Sequence, residues 1–259
     1  MHDTAFEHAR LFFKLYWQPG FNDVLELGSL DVNGSLRACS PPASRYVGVD
    51  AAAGRGVDHV VSPGDPLPFP DGSFDVAVTS STFEHDICFW ESFVECLRVL
   101  RPGGFLYVNA PSNHGFHRYP LDCWRFYPDA GIALVAWARR REVDVELIES
   151  FVADPVGECW ADFVAVFRRS SPERWPRRGR IADMARCVNI HSENGGKACP
   201  IERESWATYD MRLIAELTGK LSVAEQQVEE LRSELAARCG GGRSLVSRLL
   251  PWLTSSRRD

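Results

Sequence analysis

Val24-Leu25-Glu26-Leu27-Gly28, with Tyr46-Val47-Gly48-Val49-Asp50 following it, is the stretch that decides the fold. Each segment is a short apolar run that ends in an acid or a glycine. Buried parallel strands read this way where they deliver their carboxyl ends to a ligand. Asp50 lies 22 residues after Gly28. In open α/β sheets an acid at that distance binds the two hydroxyls of a ribose. The first quarter of the chain is therefore expected to hold an adenosine-containing cofactor.

The connection between the two strands narrows the choice. A nicotinamide or flavin site calls for G-x-G-x-x-G directly after the first strand. Here the string is Gly28-Ser29-Leu30-Asp31-Val32-Asn33-Gly34, with Leu30 where a second glycine would let the backbone approach a diphosphate. Glu26, two residues before Gly28, also suits a cationic ligand better than a diphosphate. The amino-acid end of S-adenosylmethionine is such a ligand.

Three further segments extend the pattern: Leu67-Pro68-Phe69-Pro70-Asp71-Gly72-Ser73-Phe74-Asp75-Val76, then Phe83-Glu84-His85, then Leu97-Arg98-Val99-Leu100-Arg101-Pro102-Gly103-Gly104-Phe105-Leu106. In this order, over roughly residues 20 to 170, the chain resembles the class I S-adenosylmethionine-dependent methyltransferases of the broad methyltransferase-domain-11 type. It departs from them in lacking the second and third glycines of their glycine-rich loop. The resemblance implies an α/β fold: a doubly wound, Rossmann-like, mostly parallel seven-stranded sheet whose last strand is antiparallel. It also implies S-adenosyl-L-methionine as cofactor. Glu26 would face the methionine end, Gly28 would admit the backbone, Asp50 would take the ribose, Ala51 would lie beside the adenine, and Asp65 would reach the adenine amino group or simply make a turn. Asp71 and Asp75 read as structural, Asp71-Gly72 being a turn.

Bulk properties agree with an enzyme of this kind. The 259 residues suit a medium-sized domain with an appendage, and 45% hydrophobic residues suffice for a core. A net charge of -6 without a long basic run gives no drive toward nucleic acid. The first residues lack the basic and apolar regions of a signal peptide, and no apolar run reaches the length of a membrane span. Eight cysteines without a C-x-x-C pair are expected to be reduced and mostly buried, in a cytoplasmic protein with no metal site.

Along the chain, helical spacing covers residues 3–17, 87–100 and 128–141, and strands are expected near 23–28, 45–50, 58–61, 75–80, 104–110, 144–151 and 162–168. This gives a domain over residues 1–170. The charged, proline-broken stretch 171–206 reads as a linker or irregular extension. Residues 207–239 form an amphipathic helix or coiled coil, with Ile214, Leu221, Val228 and Leu235 at heptad position a and Leu217, Ala224 and Leu231 at d. Such a layer pattern favours a parallel dimer, with Lys220 at g facing Glu225 at the next e. The alternative is a single helix packed on its own domain. The basic-apolar tail 240–259 has the composition of a peripheral membrane contact, a docking peptide or a disordered end.

Methyl transfer from a sulfonium is an in-line displacement, so alignment and exclusion of water are required and a fixed nucleophile is not. A base is needed only when the acceptor must lose a proton. The candidates are His85 after the fourth strand and His117 in the loop 111–128. That loop also carries Arg118 and Arg125 for an anionic group, and Tyr119 for stacking. Trp124 and Phe126 read as core anchors, and Arg125 has a competing partner in Asp122. Neither His114 nor His117 has a second ligand at helical spacing, which argues against a metal. The expected acceptor is a small molecule or a glycan or lipid-linked group, methylated at oxygen. The rival readings are a non-catalytic scaffold working through the C-terminal coil, and a nicotinamide enzyme, which Leu30 disfavours.

Overall fold

The structure is a computed structural model that describes residues 3–157 and 160–238. Two units are distinct, residues 1–206 and residues 207–259. The tail 240–259 lies outside the described residues.

The first unit opens with helix α1 (Asp3–Tyr16) and strand β1 (Asp23–Leu27), followed by β2 (Arg45–Asp50), β3 (His59–Val60) and β4 (Phe74–Ser80). Helix α2 (Phe89–Val99) runs directly into β5 (Leu100–Pro111). Helix α3 (Ala130–Arg140) precedes the hairpin of β6 (Val145–Ala153) and β7 (Asp162–Arg169). A further strand, β8 (Cys187–His191), and a two-residue hairpin of β9 (Glu193–Asn194) and β10 (Lys197–Ala198) complete the unit. The sheet order is β3-β2-β1-β4-β5-β7-β6-β8. Strands β1 to β5 pair in parallel, whereas β7 is antiparallel to β5 and to β6, and β8 is antiparallel to β6.

Alternation along each strand feeds two apolar layers, because successive side chains point to opposite faces. Leu25, Ala77, Leu106 and Val108 pack with α2 and α3 on one face. Val24, Val76, Val78, Phe105 and Tyr107 pack with α1 on the other. Helices on both faces make the sheet doubly wound, and burial on both sides explains why its strands read as unbroken apolar runs.

Among the described residues the expected seven-stranded sheet has eight strands, and the stretch 171–206, expected as a linker or irregular extension, packs into the first unit. Trp175 packs its ring 5.7 Å from Tyr16 and 5.1 Å from Phe105. Ile181, Ala182, Cys187 and Ile190 are buried in the α1 layer. A fully buried carboxylate ties the stretch down: Glu149 of β6 accepts from the Tyr16 hydroxyl, from Ile181 N at 2.8 Å and from Ala182 N at 3.0 Å. Burial raises the Glu149 carboxyl above its ordinary range, and those three donors oppose the shift. Proline and arginine density hid an edge strand whose partners lie far away in sequence.

Asp71 and Asp75 are structural as expected. Asp71 takes a hydrogen bond from Arg98 at 2.8 Å, and Asp75 accepts from Asn22 N, Asp23 N and Arg101. Cys39, Cys88, Cys96, Cys123, Cys187 and Cys199 are free thiols, but only Cys96 and Cys187 of these are buried, fewer than expected.

The second unit contains helix α4 (Tyr209–Arg238), 30 residues long, with no buried residue. Ile214, Leu217, Leu221, Val228, Leu231 and Leu235 are all exposed along it. No helix among the described residues is long and apolar enough to cross a membrane.

Replacing Glu149 with alanine leaves one hydroxyl and two amides buried without an acceptor. Urea unfolding of Glu149→Ala should show a loss of about 3 kcal/mol. A loss below about 1 kcal/mol would mean that the stretch after β7 is held by apolar packing alone.

Candidate functional site

Register sets the geometry of the site. Leu27 of β1 lies opposite Val49 of β2 and Thr79 of β4, so three parallel strands end level at one edge. The chain then turns sharply at Gly28, where φ is +81°. A Cβ there would stand 1.8 Å from Thr82 Oγ1, so only glycine fits both the conformation and the space. The turn is fixed by two amides on one carbonyl: Gly28 N and Ser29 N donate to Val49 O at 2.8 and 3.1 Å.

Asp50 follows Val49 directly. Its Oδ2 accepts from Leu30 N at 3.0 Å and its Oδ1 from Ala52 N at 3.1 Å. Both oxygens are oriented by backbone, and each keeps lone pairs for another donor. Leu30, the residue that breaks the glycine pattern, has room because it lies against Gly54, where a Cβ would come 2.3 Å from Leu30 Cδ1.

These residues border a cavity of about 800 Å³. One end is lined by Glu26, Gly28, Asp50, Ala51 and Asp65, the other by Glu84, His85, His117, Arg118 and Tyr119. Glu26 is only 3% exposed. Its carboxylate accepts from Ser35 Oγ at 3.2 Å, Leu36 N at 3.3 Å and Tyr46 Oη at 2.9 Å. It thus fastens the loop after β1 to β2. Burial raises its carboxyl above the usual range against these three donors. Asp65 is exposed at the cavity wall, where its amide caps a turn on Ser62 O at 3.1 Å.

At the far end, Glu84 is 1% exposed, and burial pushes its carboxyl up to about 8. Its Oε2 has no hydrogen-bond partner among the described residues. His85 contacts the Leu121 carbonyl through Nδ1, and its Nε2 lies 3.7 Å from Glu84 Oε1. Burial lowers the His85 pKa, and His117 nearby adds to the shift. The His85 and His117 rings meet edge to face at 5.0 Å, and Tyr119 lies 6.4 Å from His85.

The loop that brings His117 here is organised by Asp122. That carboxylate accepts from His117 N at 2.7 Å and grips Arg125 at 2.6 and 2.9 Å. The Arg125 guanidinium holds it down at about 2. Cys123 N and Trp124 N both donate to Glu84 O, which docks the loop on the turn after β4.

Several expected site residues stand differently from the sequence reading. Arg125 is committed to Asp122 and lies outside the cavity lining, so it is not placed to hold an anion. Arg118 is exposed at the cavity wall, its guanidinium 5.3 Å from the Phe116 ring. Trp124 is 37% exposed rather than a core anchor. Its Nε1 donates to Asp86 O at 2.8 Å, whereas Phe126 is buried as expected. Trp160 lines the cavity, stacks on His114 at 4.0 Å and meets His117 at 5.1 Å. It arrives there because β7 is antiparallel and so begins at the carboxyl edge, where Asp162 pairs with Pro111. Nothing in the local sequence marks it.

Comparison with known proteins fits this geometry. Residues 29–108 match the family model described as a methyltransferase domain. An uncharacterized methyltransferase of Mycobacterium sp. (strain KMS) is 37% identical over 95 residues, which are 33% of this chain and 37% of that protein. A probable S-adenosylmethionine-dependent methyltransferase of Mycolicibacterium smegmatis is 47% identical over 53 residues, covering 19% of this chain and 20% of that protein. The matches thus span between a fifth and little more than a third of the curated relatives' length. Among solved structures, the 1,6-didemethyltoxoflavin-N1-methyltransferase of Burkholderia thailandensis, with 1,6-didemethyltoxoflavin and S-adenosylhomocysteine bound, superposes with a TM-score of 0.50 at 17% identity. It covers 65% of this chain and 80% of that one. The likeness to this structure is one of fold.

Proposed function

We propose that this chain, which carries a class I methyltransferase domain, binds S-adenosylmethionine at the Asp50 end of its cavity and transfers the methyl group to an acceptor oxygen at the His85 end. The observation that carries the reading is Asp50. Its carboxylate is aimed by two backbone amides, with acceptor capacity left on both oxygens, beside the turn that Gly28 makes against Thr82. When bound, the cofactor supplies an electrophilic methyl on a sulfonium, and its sulfur keeps the bonding electron pair as the methyl leaves.

The chain's own residues do the rest. Asp50 accepts the ribose hydroxyls, Ala51 and Asp65 flank the adenine side, and Gly28 admits the backbone. Glu26 acts mainly by holding the loop from Ser35 to Leu36, which keeps the methionine end of the site closed. At the acceptor end His85 and His117 meet the reacting group, Arg118 offers a cation at the wall, and Tyr119 and Trp160 offer ring faces. Two imidazoles beside a buried carboxyl suit a hydroxyl, whose proton must leave as the new bond forms. A small molecule or a glycan or lipid-linked group is the acceptor class that fits. The free thiols suit a reducing compartment, which supports a cytoplasmic setting.

The exposed stripe of α4 is best occupied by a second copy of the same helix in a parallel coil. Ile214 and Val228 at a with Leu217 and Leu231 at d favour two strands, and Lys220 at g would face Glu225 of the second copy. Sedimentation equilibrium should give a dimer, and Leu217→Asp with Leu231→Asp should give a monomer. A monomeric parent chain would end this part of the reading.

Asp50→Ala should weaken S-adenosylhomocysteine binding by about a hundredfold or more, since two hydrogen bonds to a charged group are lost. Calorimetric titration, with far-ultraviolet dichroism to confirm the fold, measures this. Unchanged affinity would remove Asp50 from the site.

A further inference from the structure

Glu84, His85 and His117 each place one ligand atom within 4.8 Å of the others at the acceptor end of the cavity. The sequence reading argued against a metal because His117 has no partner at helical spacing. The fold supplies the partners from the turn after β4 instead. We propose that these three side chains bind one divalent cation of the zinc, cobalt or manganese type, which in turn takes the acceptor oxygen. The inference rests on the reading of this end of the cavity as the acceptor site.

Three independent features support a cation here. The first is spacing. His85 Nε2 and Glu84 Oε1 are 3.7 Å apart, and two ligands on one tetrahedral ion with bonds of about 2.1 Å stand about 3.4 Å apart. The second is satisfaction of buried groups. Glu84 is 1% exposed and its Oε2 has no hydrogen-bond partner among the described residues, an arrangement that burial makes costly. A cation gripped by both oxygens of Glu84 would engage Oε2 as well as the Oε1 that faces His85.

The third feature is the support behind the ligands. A carbonyl can only accept, so the Leu121 carbonyl fixes the proton of His85 on Nδ1 and leaves the Nε2 lone pair facing Glu84. Histidines that bind metals are held in this manner. His117 is supported by the same loop. Its Nδ1 lies 3.5 Å from Asp122 Oδ2, 3.5 Å from Gly115 O and 3.4 Å from Arg125 Nη2, and its amide donates to Asp122. The Arg125 charge is matched by Asp122.

The donor set also selects the ion. Two imidazoles and one carboxylate suit zinc, cobalt, iron or manganese, whereas magnesium and calcium prefer oxygen ligands throughout. Three protein ligands leave a coordination position toward the cavity. An acceptor hydroxyl bound there would lose its proton near neutral pH, because a bound cation lowers the pKa of a coordinated oxygen. The proton passes to solvent, the O–CH3 bond would form as the S–CH3 bond breaks with its electron pair left on sulfur, and the cation is unchanged by the turnover.

The test uses the full, tag-free chain, stripped with a chelator and dialysed, then titrated with Co2+ followed by visible absorption and with Zn2+ by calorimetry. One ion per chain is expected, with the absorption of a site containing nitrogen and oxygen ligands. Glu84→Gln and His117→Ala should each weaken binding at least about tenfold. His117→Ala lies on the loop and tests the site even if Glu84→Gln fails to fold. S-adenosylhomocysteine affinity is measured on the same samples and should stay unchanged in both variants. Stoichiometry well below one, or affinity that neither substitution alters, would overturn the cation site. Cobalt binding in a chain that binds no S-adenosylhomocysteine would leave the cation site standing and count against methyl transfer.

Discussion

The site depends on three parallel strands ending level and on one glycine that lets the chain turn there. Leu27, Val49 and Thr79 share a register line. Gly28 then turns at φ +81° with Thr82 occupying the space where a side chain would go. Because Val49 O accepts both Gly28 N and Ser29 N, the turn of β1 and the end of β2 move as one piece. Asp50 is the next residue, so its position is set by the same two hydrogen bonds. A shift of one residue in the β1–β2 register would send every side chain of the strand to the opposite face and dismantle this corner.

The opposite end of the cavity is built differently. Its residues come from a turn after β4, a long loop after β5 and the approach to β7. What holds them is a set of polar contacts rather than a sheet ladder. Asp122 gathers His117 and Arg125, and the Glu84 carbonyl takes two amides of the loop. A loop fixed this way can carry chemistry without belonging to regular structure. Buried Glu84 sits at the junction of the two segments, which is why its environment differs so much from that of an ordinary surface acid.

How much of this was legible in the sequence follows from the range of each interaction. The strand ends Val24–Gly28 and Tyr46–Asp50 could be read because alternation and glycine placement are local signals. Asp71-Gly72 was legible as a turn for the same reason, and Phe126 as a core residue. The eighth strand was not, since what makes Cys187–His191 a strand is its pairing with β6 and the anchoring of Ile181 and Ala182 on Glu149. Trp160 and the union of Glu84 and His85 with His117 were hidden by long separations along the chain. Of the two readings of Arg125 the pairing with Asp122 is the one found, whereas Trp124 departs from the expected core anchor. The guanidinium is held by Asp122 three residues away, and the half-exposed indole donates to the carbonyl of buried Asp86.

The level strand ends are proposed to form a site for a sulfonium nucleoside and not for a dinucleotide. Leu30 stands where the loop of a dinucleotide site has its second glycine. Parallel calorimetric titration of the purified chain with S-adenosylmethionine, S-adenosylhomocysteine and NAD tests this most directly. Micromolar binding of the two sulfur nucleosides, with no heat from NAD, is the predicted result. Binding of NAD, or of none of the three, would contradict the account.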